Sequence, residues 1–258
     1  MKAVILCGGR GSRIRDASEL LPKPMLPIGG KPILWHIMKT YAHHGIEQFV
    51  LCLGYRGWVI KEFFLNYAAM TSDIVVQLGS TRRAVTIGEN IAEETWSVTL
   101  AETGESTDTG GRIRAIRRYV EEDDVFLLTY GDGVADVDLR ALLEFHRAHG
   151  KIATVTAVRP PGRFGELGIA GDTVNEFNEK PQASGGFING GFFVCDARRI
   201  WDYVEDGPFE LAPMQRLAAD GQLAAYRHTG FWQPMDTLRE YTMLNDMWDS
   251  GAAPWRVW

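Results

Sequence analysis

A glycine-rich turn flanked by cationic side chains opens the chain. It reads Leu6-Cys7-Gly8-Gly9-Arg10-Gly11-Ser12-Arg13 and is followed by Pro22-Lys23-Pro24-Met25. Glycines carry no Cβ, so a turn made of them lets backbone N–H groups come close to phosphate oxygens. The order Gly-Gly-x-Gly-x-Arg is neither the Gly-Lys-Ser/Thr of a P-loop nor the GxGxxG of a dinucleotide fold. A bare glycine turn reads first as a tight strand-to-loop connection. Arg13 and Lys23, placed around a prolonged loop, shift the reading to phosphate binding.

Carboxylates come next. Tyr130-Gly131-Asp132-Gly133 ends an apolar run, and an aspartate at the carboxyl end of a parallel strand lies where open α/β sheets bind ligands. Phe231-Trp232-Gln233-Pro234-Met235-Asp236-Thr237 offers a second carboxylate, Asp236, just before a helical pattern. Either aspartate has a plain structural alternative, a turn for Asp132 and a helix N-cap for Asp236. Asp136-Val137-Asp138 looks like the Asp-x-Asp metal motif of many glycosyltransferases, but its place before a helix makes Asp138 an expected N-cap. Glu179-Lys180-Pro181 and Asn189-Gly190-Gly191 could hold a phosphate and sugar hydroxyls, or could be solvated turns. The six histidines show no metal spacing with carboxylates; His43 and His44 sit at a helix end, where imidazoles can cap carbonyls.

The first stretch resembles the signature of the sugar-phosphate nucleotidyltransferases, Leu-x-Gly-Gly-x-Gly-Thr-Arg followed by Pro-Lys-Pro, with Cys7 in the variable slot and Ser12 in place of threonine. The resemblance extends over essentially the whole chain. It implies nucleotide contacts from Leu6, Gly8, Gly9, Gly11, Ser12, Arg13 and Lys23, with Arg13 and Lys23 facing the triphosphate. It implies Mg²⁺ as cofactor, held by Asp132 and Asp236, and a sugar-phosphate site formed by Tyr130, Glu179, Lys180 and Asn189. Arg13, Lys23, Asp132 and Lys180 are the implied catalytic residues. Within the family, Gly29 to Met38, Pro160 to Gly165, Ile188 to Phe193 and Phe231 to Thr237 are similar to members that take CTP and glucose 1-phosphate. UTP or dTTP stays open as the nucleotide, since nothing in these residues selects a base on physical grounds. Arg112, in Thr109-Gly110-Gly111-Arg112, reads either as a nucleotide contact or as a solvated arginine. The resemblance also implies a homo-oligomer, with a hexamer among the forms it allows.

The elements that must position these residues follow from apolar periodicity. Ala3 to Cys7 suits a buried parallel strand. Pro32 opens a helix in which Leu34, Ile37, Met38 and Tyr41 share a face, and Gly45 closes it. The strand Phe49 to Leu53, a helix around Trp58 to Tyr67 and the strand Ile74-Val75-Val76 continue the alternation. Val125 to Tyr130 and Ile152 to Val158 read as strands around a helix from Leu139 to His149. Residues from Gly168 to Phe177 look antiparallel, Phe187 to Cys195 is a further strand, and a last helix runs from about Leu238 to Trp248. This predicts an α/β fold with a Rossmann-like, mixed but mostly parallel sheet flanked by helices. One domain over 1–258 is expected, its N-terminal half mainly for nucleotide and its C-terminal half mainly for sugar phosphate. Residues 79–110 form a polar excursion suited to subunit contact or nucleotide binding.

Composition narrows the classes. The 258 residues are 45% hydrophobic and 23% charged, with a net charge of −6 spread along the chain, which argues against a nucleic-acid partner. No apolar run approaches the roughly 20 residues of a membrane span, nor does the N-terminus carry a signal-peptide core. Cys7, Cys52 and Cys195 lie in strand-like runs without metal or disulfide spacing and predict reduced core thiols of a cytoplasmic protein. Two rivals remain: a non-catalytic nucleotide-sugar sensor, and a glycosyltransferase using Asp136 and Asp138, which leaves Pro22-Lys23-Pro24 without a role.

Overall fold

Seven strands form the central sheet. The computed structural model describes residues 1–9, 21–77, 84–87, 94–160, 166–170, 173–178 and 186–258, with backbone alone for 84–87, 166–170 and 173–178. The strands are β1 (Ala3–Leu6), β2 (Gln48–Leu53), β3 (Ser97–Glu102), β4 (Val125–Tyr130), β5 (Ala153–Val158), β6 (Ile188–Asp196) and β7 (Leu223–Arg227). Their spatial order is β7-β5-β6-β4-β1-β2-β3. β1 pairs in parallel with β2 and β4, as β2 does with β3 and β5 with β7, while β6 runs antiparallel to both β4 and β5. The expected mixed, mostly parallel sheet is therefore present.

Alternation along β1 assigns its side chains to two layers. Ala3 and Ile5 face Ile33, Leu34, Ile37, Met38 and Tyr41 of α1 (Ile33–His43), together with Leu139, Leu142 and Leu143. Val4 and Leu6 face Ile113, Ile200, Phe209 and Leu217 on the opposite side. A strand buried on both faces has to be apolar at every position, and Ala3 to Leu6 are. The other described helices of at least seven residues are α2 (Gly57–Leu65), α3 (Thr109–Ala115), α4 (Leu139–His149), α5 (Ala212–Ala219) and α6 (Leu238–Asp249). Asp138 caps α4 by accepting from Arg140 N and Ala141 N, as the sequence predicts. His44 does not cap a carbonyl among the described contacts; its ring lies 3.8 Å from Asp138.

Two expectations change. Ile74–Gln77 does not join the parallel sheet but forms an antiparallel hairpin with Ala84–Ile87, and its described residues are exposed. The place beside β2 belongs to Ser97–Glu102, which lies inside the expected polar excursion yet is the edge strand of the main sheet. A three-residue apolar run is too short to specify which neighbour it pairs with. The antiparallel pattern after Gly168 is a hairpin of Glu166–Ala170 and Thr173–Asn178, separate from the main sheet.

The C-terminal segment folds back beneath α1. Trp255 is fully buried, stacks on Phe231 and lies against Trp248. Its indole N–H donates to His36 Nδ1 (3.4 Å), so His36 Nε2–H donates to the Ile28 carbonyl at 2.8 Å. Burial pushes His36 down to about 4, and burial followed by the nearby His149 does the same to His146. In the unfolded chain both titrate near 6.5. The unfolded state thus binds more protons between pH 6.5 and 4, and stability is expected to fall as pH drops through that window. The expected loss is on the order of 3 kcal/mol per histidine. Denaturant midpoints across that range would measure it, and His146→Gln should remove about half of the histidine contribution. A pH profile unchanged by this substitution would sink the assignment.

Candidate active site

The chain moves outward from β1 through β2 to β3, then returns to the other side of β1 as β4. Ligands bind outside the carboxyl ends of strands at such a reversal. There the flush ends of β1 and β4, with Leu6 opposite Tyr130, open into a cavity of about 780 Å³. Leu6, Gly8, Gly9, Lys23, Arg112, Tyr130, Asp132, Asn189 and Asp236 all line it. Gly11, Ser12, Arg13, Glu179 and Lys180 lie outside the described residues.

Asp132 and Asp236 meet because of a short ladder. Gly133–Ala135, directly after Asp132, pairs antiparallel with Trp232–Pro234, and Met235 N donates to the Asp132 carbonyl at 2.8 Å. The N-cap of α6 is Thr237, in a capping box with Glu240, whose carboxylate also accepts from Asp236 N. The Asp236 side chain is therefore not spent on capping and reaches the cavity.

Between the two carboxylates stands Lys23. Pro22 precedes, and Pro24 lies within, the 3₁₀ turn Lys23–Met25 that carries it, and the residue is 8% exposed. Its ammonium donates to Asp132 Oδ2 at 2.7 Å and to Asp236 Oδ1. Burial alone would lower the lysine pKa, but the charge and hydrogen bond of Asp132, then those of Asp236, hold it above the ordinary value. A permanent cation thus sits between two carboxylates at the mouth of the phosphate-type turn. Such a pair fits Mg²⁺, which takes one or two carboxylates and fills its remaining positions with water and substrate phosphate oxygens. Among the described residues, no group of three or more His, Cys, Asp or Glu side chains could hold a metal by itself.

Arg112 is not a solvated arginine. It is 4% exposed and donates to the carbonyls of Gly8 (3.1 Å), Leu53 (2.9 Å) and Gly104 (2.8 Å) and to Thr103 Oγ1 (2.8 Å). It ties the glycine turn to the end of β2 and to the 103–105 segment. A Cβ on Gly8 would lie 2.1 Å from the guanidinium carbon, so this glycine is needed for the arginine as well as for any phosphate.

On the β6 side, the Tyr130 hydroxyl donates to Glu210 Oε1 at 2.6 Å and Asn189 Nδ2 donates to the Tyr130 oxygen at 3.4 Å. Gly191 has φ +79°, and a Cβ there would strike the Tyr130 ring at 2.5 Å. Trp232 Nε1 donates to the Gly190 carbonyl at 2.7 Å and closes this wall. Glu210 and the Trp232 contact escaped the sequence reading: a glutamate in a connection carries no local signal, and Trp232 was legible only within its motif. Asp136 faces His228 at 3.0 Å and, with Asp138 capping α4, stays out of the cavity lining. The three cysteines are buried free thiols, and no described helix is long and apolar enough to cross a membrane.

A switch-point cavity with a glycine turn, a buried lysine and two converging aspartates suits the handling of a nucleotide's phosphates. The chain belongs to the nucleotidyl transferase family, whose model matches residues 2–243. It is 50% identical over 260 residues to a glucose-1-phosphate cytidylyltransferase of Salmonella typhimurium, covering 100% of both chains. A Bacillus subtilis protein named "probable glucose-1-phosphate cytidylyltransferase" is 45% identical over 261 residues, again with 100% of both covered. The crystal structure of HddC from Yersinia pseudotuberculosis shares the fold with a TM-score of 0.66 at 24% identity, covering 96% of this chain and 99% of that one.

Proposed function

We propose that this protein transfers the cytidylyl group of CTP to α-D-glucose 1-phosphate, forming CDP-glucose and pyrophosphate. The observation that carries the choice of base and sugar is the end-to-end match, at 50% identity, to a protein named for that activity. The site supports the chemistry. The glycine turn at Gly8 and Gly9 offers a cradle for the triphosphate, and Lys23 places a fixed cation beside it. A sugar-phosphate oxygen attacks the α-phosphorus and pyrophosphate leaves, with Lys23 stabilising the charge that grows on the leaving group. The attacking oxygen is already anionic, so no general base is required, and the work is positioning and electrostatics. Asp132 and Asp236 would hold Mg²⁺, which supplies Lewis-acid stabilisation of phosphate oxygens when bound. Arg13 and Lys180 are assigned beside the triphosphate and the sugar phosphate by their motifs. A cytoplasmic homo-oligomer is part of the same reading, and light scattering on the purified protein would count its subunits.

A pyrophosphate-release assay with Mg²⁺, glucose 1-phosphate and each of CTP, UTP, dTTP, ATP and GTP tests it. The expected result is a strong preference for CTP and a product of CDP-glucose mass. Preference for another nucleotide would overturn the cytidine assignment, and no turnover across a wider sugar-phosphate panel would favour a non-catalytic sensor.

A further inference from the structure

Glu210 lies in the connection between β6 and α5, outside every motif and outside the cavity lining. Its carboxylate nevertheless holds the hydroxyls of two residues that do line the cavity. Oε1 accepts from Tyr130 at 2.6 Å and Oε2 accepts from Thr109 Oγ1 at 2.7 Å. Thr109 Oγ1 in turn accepts from Phe209 N at 2.8 Å, which fixes its own proton on Glu210.

We propose that Glu210 is a positioning residue that sets the hydrogen-bond polarity of the sugar end of the cavity. A phenol has one proton, and here Glu210 takes it. The oxygen of Tyr130 can then only accept, and Asn189 Nδ2 already approaches it as a donor. Burial and then the Glu210 charge raise the phenol pKa, so Tyr130 stays protonated. An accepting oxygen welcomes a sugar hydroxyl and rejects a phosphate oxygen, which has no proton to give. This orients a sugar phosphate, with its hydroxyls toward Tyr130 and its anion turned away from that oxygen. Glu210 acts through Tyr130 and does not touch the substrate.

This inference rests on the sugar-phosphate reading of the site, and one assay separates the two. KM and kcat are measured for glucose 1-phosphate and CTP in the wild type, Tyr130→Phe, Glu210→Gln and the double variant, with thermal melts alongside. In Glu210→Gln the amide can accept from only one of the two hydroxyls, so Tyr130 loses its enforced polarity. Each single variant is expected to raise the KM for glucose 1-phosphate about tenfold, with kcat and the KM for CTP within about threefold. The double variant should be no worse than either single one, because both act on the same oxygen. An unchanged KM in Glu210→Gln, additive losses in the double variant, or a kcat loss that merely tracks a lowered melting temperature would overturn the inference while leaving the function standing. A wild type with no turnover would overturn the functional reading and this inference with it.

Discussion

Asp132→Asn and Lys23→Met are both expected to lower turnover by about 10²–10³-fold, yet to change divalent-cation binding in opposite directions. The carboxylates of Asp132 and Asp236 converge on one point, and the Lys23 ammonium stands at that point. Removing one carboxylate weakens the donor pair for Mg²⁺. Removing the lysine takes away the cation that stands between the two carboxylates, so Mn²⁺ titrated into the nucleotide-free protein should bind more tightly to Lys23→Met than to wild type, and more weakly to Asp132→Asn. Turnover still falls in Lys23→Met, because the cation that faces the leaving phosphates is gone. The stability cost should be on the order of 1 kcal/mol, well short of a fully buried pair. The reason is that Asp132 and Asp236 keep 34% and 26% of their side-chain exposure, and water compensates them. Spin-resonance counting of free Mn²⁺ and steady-state assays on the same samples would decide the matter. Near-normal turnover in both variants would remove these residues from the mechanism.

The parts of this arrangement that were legible in the sequence are those written in consecutive residues. Ala3 to Leu6 had to be a strand buried on both faces, since every side chain is apolar and a glycine turn follows. Asp138 was the expected cap of its helix, and it does cap it. The convergence of Asp132 with Asp236 was named through motif resemblance but could not be derived. The ladder that joins them, Gly133–Ala135 with Trp232–Pro234, is only three residues long, too short to show a period. Ile74–Gln77 failed for a related reason: an apolar run states that it pairs but not with what, and the competing strand Ser97–Glu102 comes later in the chain. Glu210 was invisible because its two partners lie 80 and 101 residues away. Side chains that work by gathering distant backbone have no local signature. Arg112 is the clearest case, left undecided between nucleotide contact and solvent until the fold placed carbonyls from three segments around it.

That geometry makes Arg112→Ala the substitution with the widest expected consequences. A residue that only touched a nucleotide could be removed without harm to the empty protein. Arg112 instead satisfies the carbonyls of Gly8, Leu53 and Gly104 from a site that is 4% exposed. Its loss leaves a cavity and buried acceptors, some of which keep a second donor: Leu53 O still accepts from Thr103 N at 3.1 Å. The net cost should be roughly 3 kcal/mol, which for a chain of this size lowers the melting temperature by about 10 °C. The Gly8 turn loses its tether at the same time, so the KM for the nucleotide should rise at least about tenfold. Arg112→Lys keeps the charge but not the planar fork that reaches several carbonyls at once, and it should recover little of either loss. Gly8→Ala attacks the same clamp from the other side, since its Cβ would lie 2.1 Å from the guanidinium carbon, and should reproduce the linked fall in melting temperature and nucleotide binding. Calorimetric melts without ligand, set beside nucleotide KM values for the three variants, separate the alternatives. A raised KM with an unmoved melting temperature would make Arg112 a ligand contact alone, whereas a raised KM together with a lowered melting temperature in all three variants is the mark of a clamp that shapes the turn before any nucleotide arrives.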